Sequence, residues 1–198
     1  HNETIVKKLR TEIEYLFKTN KVEWKKARGR ILSEHKIELQ NDGTINQIET
    51  DNIVIATGTE ITALPGFDFD GKFITNTDDA LKLTDIPDRL LVVGAGASGL
   101  ELATIYAGLG SKVKVVEIME QILPGMETDL CADLCKILKK KEIDVQLNST
   151  VQGYKIINNR IKVDIKNPVG VTTEEFERIL VTVGRKPTDF AFKNLGLE

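Results

Sequence analysis

The sequence predicts an α/β chain in which a parallel βαβ unit adjoins an antiparallel β-meander, and three observations carry that expectation. The apolar run Leu90-Leu-Val-Val93 opens into Gly94-Ala-Gly-Ala-Ser-Gly99, which is followed by a helical pattern. A second apolar strand begins at Lys112 and ends on Glu117. Upstream, Asn41-Asp-Gly43 separates two apolar runs, the signature of a tight hairpin. Strand, G-x-G-x-x-G loop, helix, second strand and acidic residue arrive in the register of a Rossmann-like dinucleotide-binding unit. In that arrangement Gly94 permits the tight turn, Gly96 lets the backbone approach a pyrophosphate, and Gly99 allows close helix–strand contact. The free N–H groups at the helix start attract phosphate, and Glu117 is placed to accept both ribose hydroxyl protons.

The elements follow in chain order. Residues 3–18 carry Ile5, Val6, Leu9, Ile13, Leu16 and Phe17 as one apolar stripe, predicting an amphipathic helix without an evident cap. Strands are predicted at 22–32, 36–39 and 45–56, the last running into Asn52-Ile-Val-Ile-Ala-Thr-Gly58. So apolar a run predicts a strand buried on both faces. Residues 59–88, with Pro65-Gly66, Asp70-Gly71 and Pro87, predict a connector holding one helical turn near 79–83. Then come a strand at 89–93, a helix at 98–109 stopped by Gly110, and a strand at 112–118. Gly99, Ala103 and Ala107 form a stripe of small residues that lets this helix lie close to the sheet. Pro124-Gly125 breaks the chain, and Thr128 is placed to cap a helix running to Lys141. Three β stretches follow, 143–157, 160–166 and 171–183, with turns at Asn158-Asn159 and Asn167-Pro168. The final Ile179-Leu-Val-Thr-Val-Gly184 predicts a buried strand ending on glycine.

Composition narrows the function classes. With 198 residues, 27 basic and 30 acidic side chains and a net charge of −3, the chain lacks the electrostatic footprint of a nucleic-acid or anionic-membrane binder. The one basic cluster, Lys139–Lys141, closes a predicted helix and reads as a solvated end that complements the dipole. No apolar run approaches the ~20 residues of a membrane span, and no signal-peptide core stands at the N-terminus, so a soluble chain is expected. Cys131 and Cys135 share one helix face; near-parallel side chains there favour free thiols over a redox disulfide.

Three separated stretches resemble, in order and spacing, the flavin-dependent pyridine nucleotide–disulfide oxidoreductases. They are Val54-Ile-Ala-Thr-Gly58, the Gly94–Glu101 segment with Val115-Val-Glu117, and Leu180-Val-Thr-Val-Gly-Arg-Lys-Pro187. Ile122-Leu-Pro-Gly-Met-Glu127 and Leu138-Lys-Lys-Lys-Glu142 are most similar to the dihydrolipoamide dehydrogenase branch. The resemblance implies an NAD-binding domain at 60–185 with its N-terminal connector. It implies a flavin-domain remnant at 1–59, and at 186–198 the start of the return to the flavin domain. Carried over by position, it makes Gly94, Gly96 and Gly99 the pyrophosphate turn and Glu117 the adenosine-ribose acceptor. It sets Val151 against the adenine and the backbone of Gly184 near the nicotinamide. It also sets Glu101 beside the carboxamide, where a carboxylate merely favoured by the helix dipole reads equally well. Thr57, Gly58 and Arg185 match residues that face the flavin; from their own sequence they read as strand ends and turns.

The family's Cys-x-x-x-x-Cys pair, its separate flavin glycine fingerprint, and its C-terminal dimerisation domain with a His-Pro and a Glu have no counterpart in these residues, whose two histidines are His1 and His35. The expectation is a central piece of a longer enzyme, binding NAD(H) but inactive alone. In the parent, FAD would pass hydride to NAD⁺ after a lipoyl dithiol is oxidised, in a homodimer of the bacterial cytoplasm or mitochondrial matrix. Mercuric reductase and NADH oxidase types share the retained region. An S-adenosylmethionine-dependent methyltransferase and a non-enzymatic redox sensor are the readings from other classes; the Ala-Thr-Gly and Gly-Arg-x-Pro segments argue against the first.

Overall fold

The computed structural model describes residues 2–195, so His1 and the last three residues of the expected 186–198 return segment lie outside the described residues. Two compact units are present: residues 1–58 with 188–198, and residues 59–187.

In the first unit, α1 (Asn2–Thr19) precedes the meander β1 (Arg28–Ser33), β2 (Lys36–Asn41) and β3 (Thr44–Glu49). The helix forms because its apolar residues recur on one face, yet Ile5, Leu9, Ile13 and Leu16 are all exposed. The β2–β3 hairpin closes as the Asn-Asp-Gly signal requires. Asp42 (φ 45°) and Gly43 (φ 81°) both take the left-handed region, the mirror-image turn that matches strand twist. Two expectations fail here. Strand structure begins at Arg28 rather than at residue 22, and residues 50–58 form no strand. Val54 is 89% exposed, and Ile55 is also exposed. A strand exists only through its ladder, and among the described residues positions 50–58 make single backbone contacts, Thr50 to His35 and Gly58 to Thr188, but no ladder. Apolar sequence alone cannot hold them in a sheet.

The second unit opens with β4 (Thr59–Ile61), β5 (Ile74–Thr75) and the short helix α2 (Thr77–Ala80). The turn predicted at 79–83 lies earlier because Asn76 caps it. Its side chain accepts from the Asp78 and Asp79 N–H groups while Asp79 reaches back to the Asn76 N–H, a reciprocal capping box. Next come β6 (Arg89–Val93), α3 (Ala97–Gly108), β7 (Lys112–Val116), α4 (Thr128–Lys140) and β8 (Asp144–Gln146). The N-cap of α4 is Glu127 rather than the expected Thr128, whose hydroxyl instead donates to the Gln121 side chain at 3.2 Å. Finally β9 (Thr150–Ile157), β10 (Arg160–Asn167) and β11 (Gly170–Phe176) form an antiparallel sheet before β12 (Arg178–Val181) and β13 (Arg185–Pro187). The predicted stretch 171–183 thus divides at Glu177. Its first half closes the antiparallel sheet, and its second half enters the parallel one.

That parallel sheet runs β5-β12-β6-β7-β8 and lies between two apolar layers. Alternation along β6 builds both: Leu90 and Val92 face α3 and α4, while Leu91 and Val93 face Ile161, Val163 and Phe176 of the antiparallel sheet. Strands buried on both faces account for the continuous apolar runs at 89–93 and 178–181. Tyr106 ties α3 to the capped turn, its hydroxyl donating to the Ala80 carbonyl at 2.7 Å. Lys114, on the other face of β7, is paired with Glu174 and, at 3.1 Å, with Asp144.

Asp70 turns the connector toward β5 by accepting the N–H groups of Lys72, Phe73 and Ile74 at 2.7–2.9 Å. Burial pushes its carboxyl up, and these backbone donors more than offset that, leaving it below the usual Asp value. A folded-state pKa held below the unfolded one gives stability that is present above the unfolded value and lost as pH falls through the folded one. Asp70→Ala is therefore expected to lower stability at neutral pH by about 1 kcal/mol, the size of a capping contribution. It should also flatten the acid limb of a melting-temperature profile below about pH 4. An unchanged acid limb would contradict this role.

Candidate functional site

The β6–α3 turn is built by three glycines whose roles are physically distinct. Gly94 lies at φ 106°, and a Cβ there would come within 2.7 Å of the Thr182 carbonyl oxygen. At Gly99 a Cβ would sit 2.2 Å from the Gly94 carbonyl oxygen and 2.6 Å from the Thr182 hydroxyl, so the absence of a side chain is what lets α3 approach the turn. Gly96 is different. Its φ of −74° suits any residue, and a Cβ there would meet nothing within 4 Å. No constraint within the protein asks for glycine at 96; the space beside it is open.

The turn is held from three sides. The Gly94 N–H donates to the Val116 carbonyl at 2.9 Å, which fixes the turn to the end of β7. One step on, the Ala95 N–H donates to the Glu117 carboxylate at 2.6 Å, and the Ala95 carbonyl accepts from the Leu123 N–H at 2.9 Å. Leu123 makes that bond from a left-handed backbone (φ 48°), a conformation that costs a non-glycine residue energy. Gly96 caps α3 without any side-chain hydrogen bond, leaving the first N–H groups of the helix to an outside acceptor.

Glu117 is 7% exposed. Its second oxygen accepts the Met119 N–H at 2.9 Å, so each oxygen has one backbone donor and lone-pair capacity to spare. Beside it opens a cleft of about 470 Å³, walled by Gly94, Gly96, Met119, Pro124, Thr182 and Gly184 among others. No lysine or arginine is among its described lining residues. Backbone donors at one end, a buried carboxylate beside them and apolar walls suit a ligand with an anionic middle, vicinal hydroxyls and flat rings.

Of the residues singled out from sequence, Gly94, Gly96, Glu117 and Gly184 line this cleft, with Gly99 supporting it from behind. Gly184 (φ 127°) also accepts from the Thr62 N–H at 3.1 Å. Glu101 is exposed on α3 and is not among the lining residues. Val151 is 8% exposed and packs in the layer between the two sheets; its neighbours Ser149 and Thr150 line the cleft instead. Thr57 donates its hydroxyl to the Thr188 carbonyl at 2.7 Å, and the Gly58 carbonyl accepts from the Thr188 N–H at 3.0 Å. Arg185 binds Thr59, through the hydroxyl at 2.6 Å and the carbonyl at 3.0 Å.

Thr182 and Leu123 also shape the turn without standing out in the sequence. A hydroxyl inside the apolar run 179–183 was the available signal for the first; nothing local announces the backbone of the second. Cys131 is buried and Cys135 half-buried, both free. Burial, then Cys131 beside it, pushes the Cys135 thiol up, away from the thiolate a redox nucleophile needs. Among the described residues no cluster of three metal-type side chains occurs, and no helix is long and apolar enough to cross a membrane.

Fold and turn together define a Rossmann-like α/β protein. The sequence pattern of the family described as "Pyridine nucleotide-disulphide oxidoreductase" matches residues 2–198, and the chain belongs to that oxidoreductase family. The "Dihydrolipoamide dehydrogenase" of Chaetomium thermophilum is 38% identical over 190 residues, 94% of this chain and 37% of its own length. The "Dihydrolipoyl dehydrogenase, mitochondrial" of Dictyostelium discoideum is 37% identical, over 96% of this chain and 39% of its own. The chain thus spans about two fifths of the length of these curated relatives. The crystal structure of LpdA from Mycobacterium tuberculosis superposes with a TM-score of 0.74 at 25% identity, over 87% of this chain and 39% of that one.

The three glycines should separate in a stability measurement. Gly99→Ala is expected to destabilise the unit by about 1–3 kcal/mol, as overpacking does, because α3 must lift from the turn. Gly96→Ala is expected to cost less than about 1 kcal/mol, only the difference between capping residues. Denaturant melts of both variants check this; equal losses would remove the distinction.

Proposed function

We propose that this chain is the NAD(H)-binding portion of a dihydrolipoamide dehydrogenase-like flavoenzyme. The observation that carries the reading is the open space at Gly96 beside the buried carboxylate of Glu117. A pyrophosphate fits where a Cβ would have stood, within reach of the α3 N-terminus. Each Glu117 oxygen retains a lone pair for a ribose hydroxyl. Toward the other end, Val183 and Gly184 offer backbone to a nicotinamide. When bound, the nicotinamide supplies the hydride acceptor. The residues of this chain contribute binding and orientation, and positioning is itself a large part of such a rate.

The flavin belongs to the parent enzyme in this reading. The only glycine fingerprint in these 198 residues is the one assigned to the dinucleotide. Residues 1–59 and 186–198 are proposed as flavin-domain pieces, and the exposed apolar side chains of Val54 and Ile55 support this, since among the described residues they have no sheet to join. Thr57, Gly58 and Arg185 are assigned to the flavin side, Glu101 to the carboxamide and Val151 to the adenine, each on resemblance. A lipoyl dithiol as substrate, a homodimeric parent, and a bacterial cytoplasmic or mitochondrial matrix setting belong to the same proposal. Without a Cys-x-x-x-x-Cys pair, the purified chain is expected to show no thiol-dependent NAD⁺ reduction; turnover abolished by Cys131→Ser would contradict that.

NADH should bind at least 10-fold more tightly than NADPH. A 2′-phosphate would face Glu117 with no cation in the cleft to receive it. Glu117→Ala should cost about 1.5–3 kcal/mol of NADH affinity, together with some stability, because the Ala95 and Met119 N–H groups lose their acceptor. Gly96→Val should abolish NADH binding in a folded protein. Calorimetry with both nucleotides, paired with melting curves, tests all three; equal or tighter NADPH binding would overturn the reading.

A further inference from the structure

We infer that Thr182, on the strand end opposite the glycine turn, is a positioning residue for the pyrophosphate-binding backbone; this rests on the dinucleotide reading above. Its hydroxyl lies 3.0 Å from the Val93 carbonyl oxygen and 3.0 Å from that of Gly94. The Thr182 N–H donates to the Val93 carbonyl as well, at 2.8 Å. The Thr182 hydroxyl shares its one proton between these two carbonyls, so the Gly94–Ala95 peptide is contacted at both ends, at its carbonyl by Thr182 and at its N–H by Glu117 at 2.6 Å.

A trans peptide is planar, with its N–H and C=O pointing in opposite directions, so two such contacts fix the rotation of the whole plane. The following peptide is fixed by a contact of its own, the Ala95 carbonyl accepting from the Leu123 N–H. Donors aimed at an anion are effective when their directions are set before it arrives. Thr182 supplies one of the few side-chain contacts that set them. The same residue lines the cleft and precedes Val183 and Gly184, so it links the pyrophosphate end of the site to the nicotinamide end. Gly94 and Gly99 are the two positions where an added Cβ would strike it, which shows how closely turn, helix and hydroxyl are fitted.

Thr182→Ser and Thr182→Ala differ by a single oxygen, and comparing them isolates the hydroxyl from the packing of the threonine methyl. Each variant and the unmodified chain are titrated with NADH, ADP-ribose and adenosine, with melting temperatures taken on the same samples. The expected result is that Thr182→Ala weakens NADH and ADP-ribose binding about 5- to 10-fold and leaves adenosine unchanged, whereas Thr182→Ser restores both affinities. Should Thr182→Ala melt below the titration temperature, Thr182→Val takes its place under the same criterion. Equal loss for all three ligands would overturn the inference by showing a general effect on the fold, as would full NADH affinity in Thr182→Ala. If the unmodified chain binds neither NADH nor ADP-ribose, the dinucleotide reading itself falls, and the role of Thr182 with it.

Discussion

Helix α3 can sit where it does only because Gly99 has no side chain. Any Cβ at that position would overlap the Gly94 carbonyl, and the helix would have to move outward by a substantial fraction of a bond length or more. Much hangs on its staying put. Leu100, Ala103 and Tyr106 fill the layer between α3 and the parallel sheet, and Tyr106 in turn holds the capped turn that leads from β5. A close-packed interior transmits such a displacement instead of absorbing it. The packing of α3 on the sheet thus depends on one missing methyl group.

Glu117 both braces the turn and lines the cleft. Its carboxylate terminates β7, accepts from the turn and from Met119, and faces the cleft. An amide in its place would present a donor where one of two N–H groups now finds an acceptor. A change of the acidic residue therefore acts on the turn and on the cleft together.

The parts of the fold legible in the sequence were those fixed by near neighbours. The β6 boundaries, the hairpin at Asn41–Gly43 and the G-x-G-x-x-G turn depend on periodicity and on backbone freedom within a few residues. Residues 52–58 read as a buried strand because they are apolar, but pairing is a property of a sheet and not of a segment. The division at Glu177 was hidden for a related reason. No glycine or proline separates β11 from β12, so nothing local marks where the chain passes from the antiparallel sheet to the parallel one. The site divided in the same way. Gly94, Gly96, Gly99 and Glu117 stand out from their immediate sequence, whereas Thr182 reaches the turn from far along the chain, and the Leu123 contribution is a backbone donor that no residue type advertises. The inward packing of Val151 depends on the register of β9 against β10, which residue type does not fix.

The second unit begins and ends on one short ladder, where β4 and β13 pair antiparallel with Arg185 opposite Ile61 and Pro187 opposite Thr59. Strands paired this way run about 4.8 Å apart. To a polypeptide on either side, the whole unit therefore spans hardly more than a hairpin. A segment of this kind can be spliced into a surface loop of another fold without drawing the host's two ends apart, and the closure entropy it adds grows only slowly with its length. With Arg185 fastened across to Thr59, the two ends of residues 59–187 leave side by side, no farther apart than the ends of a single turn.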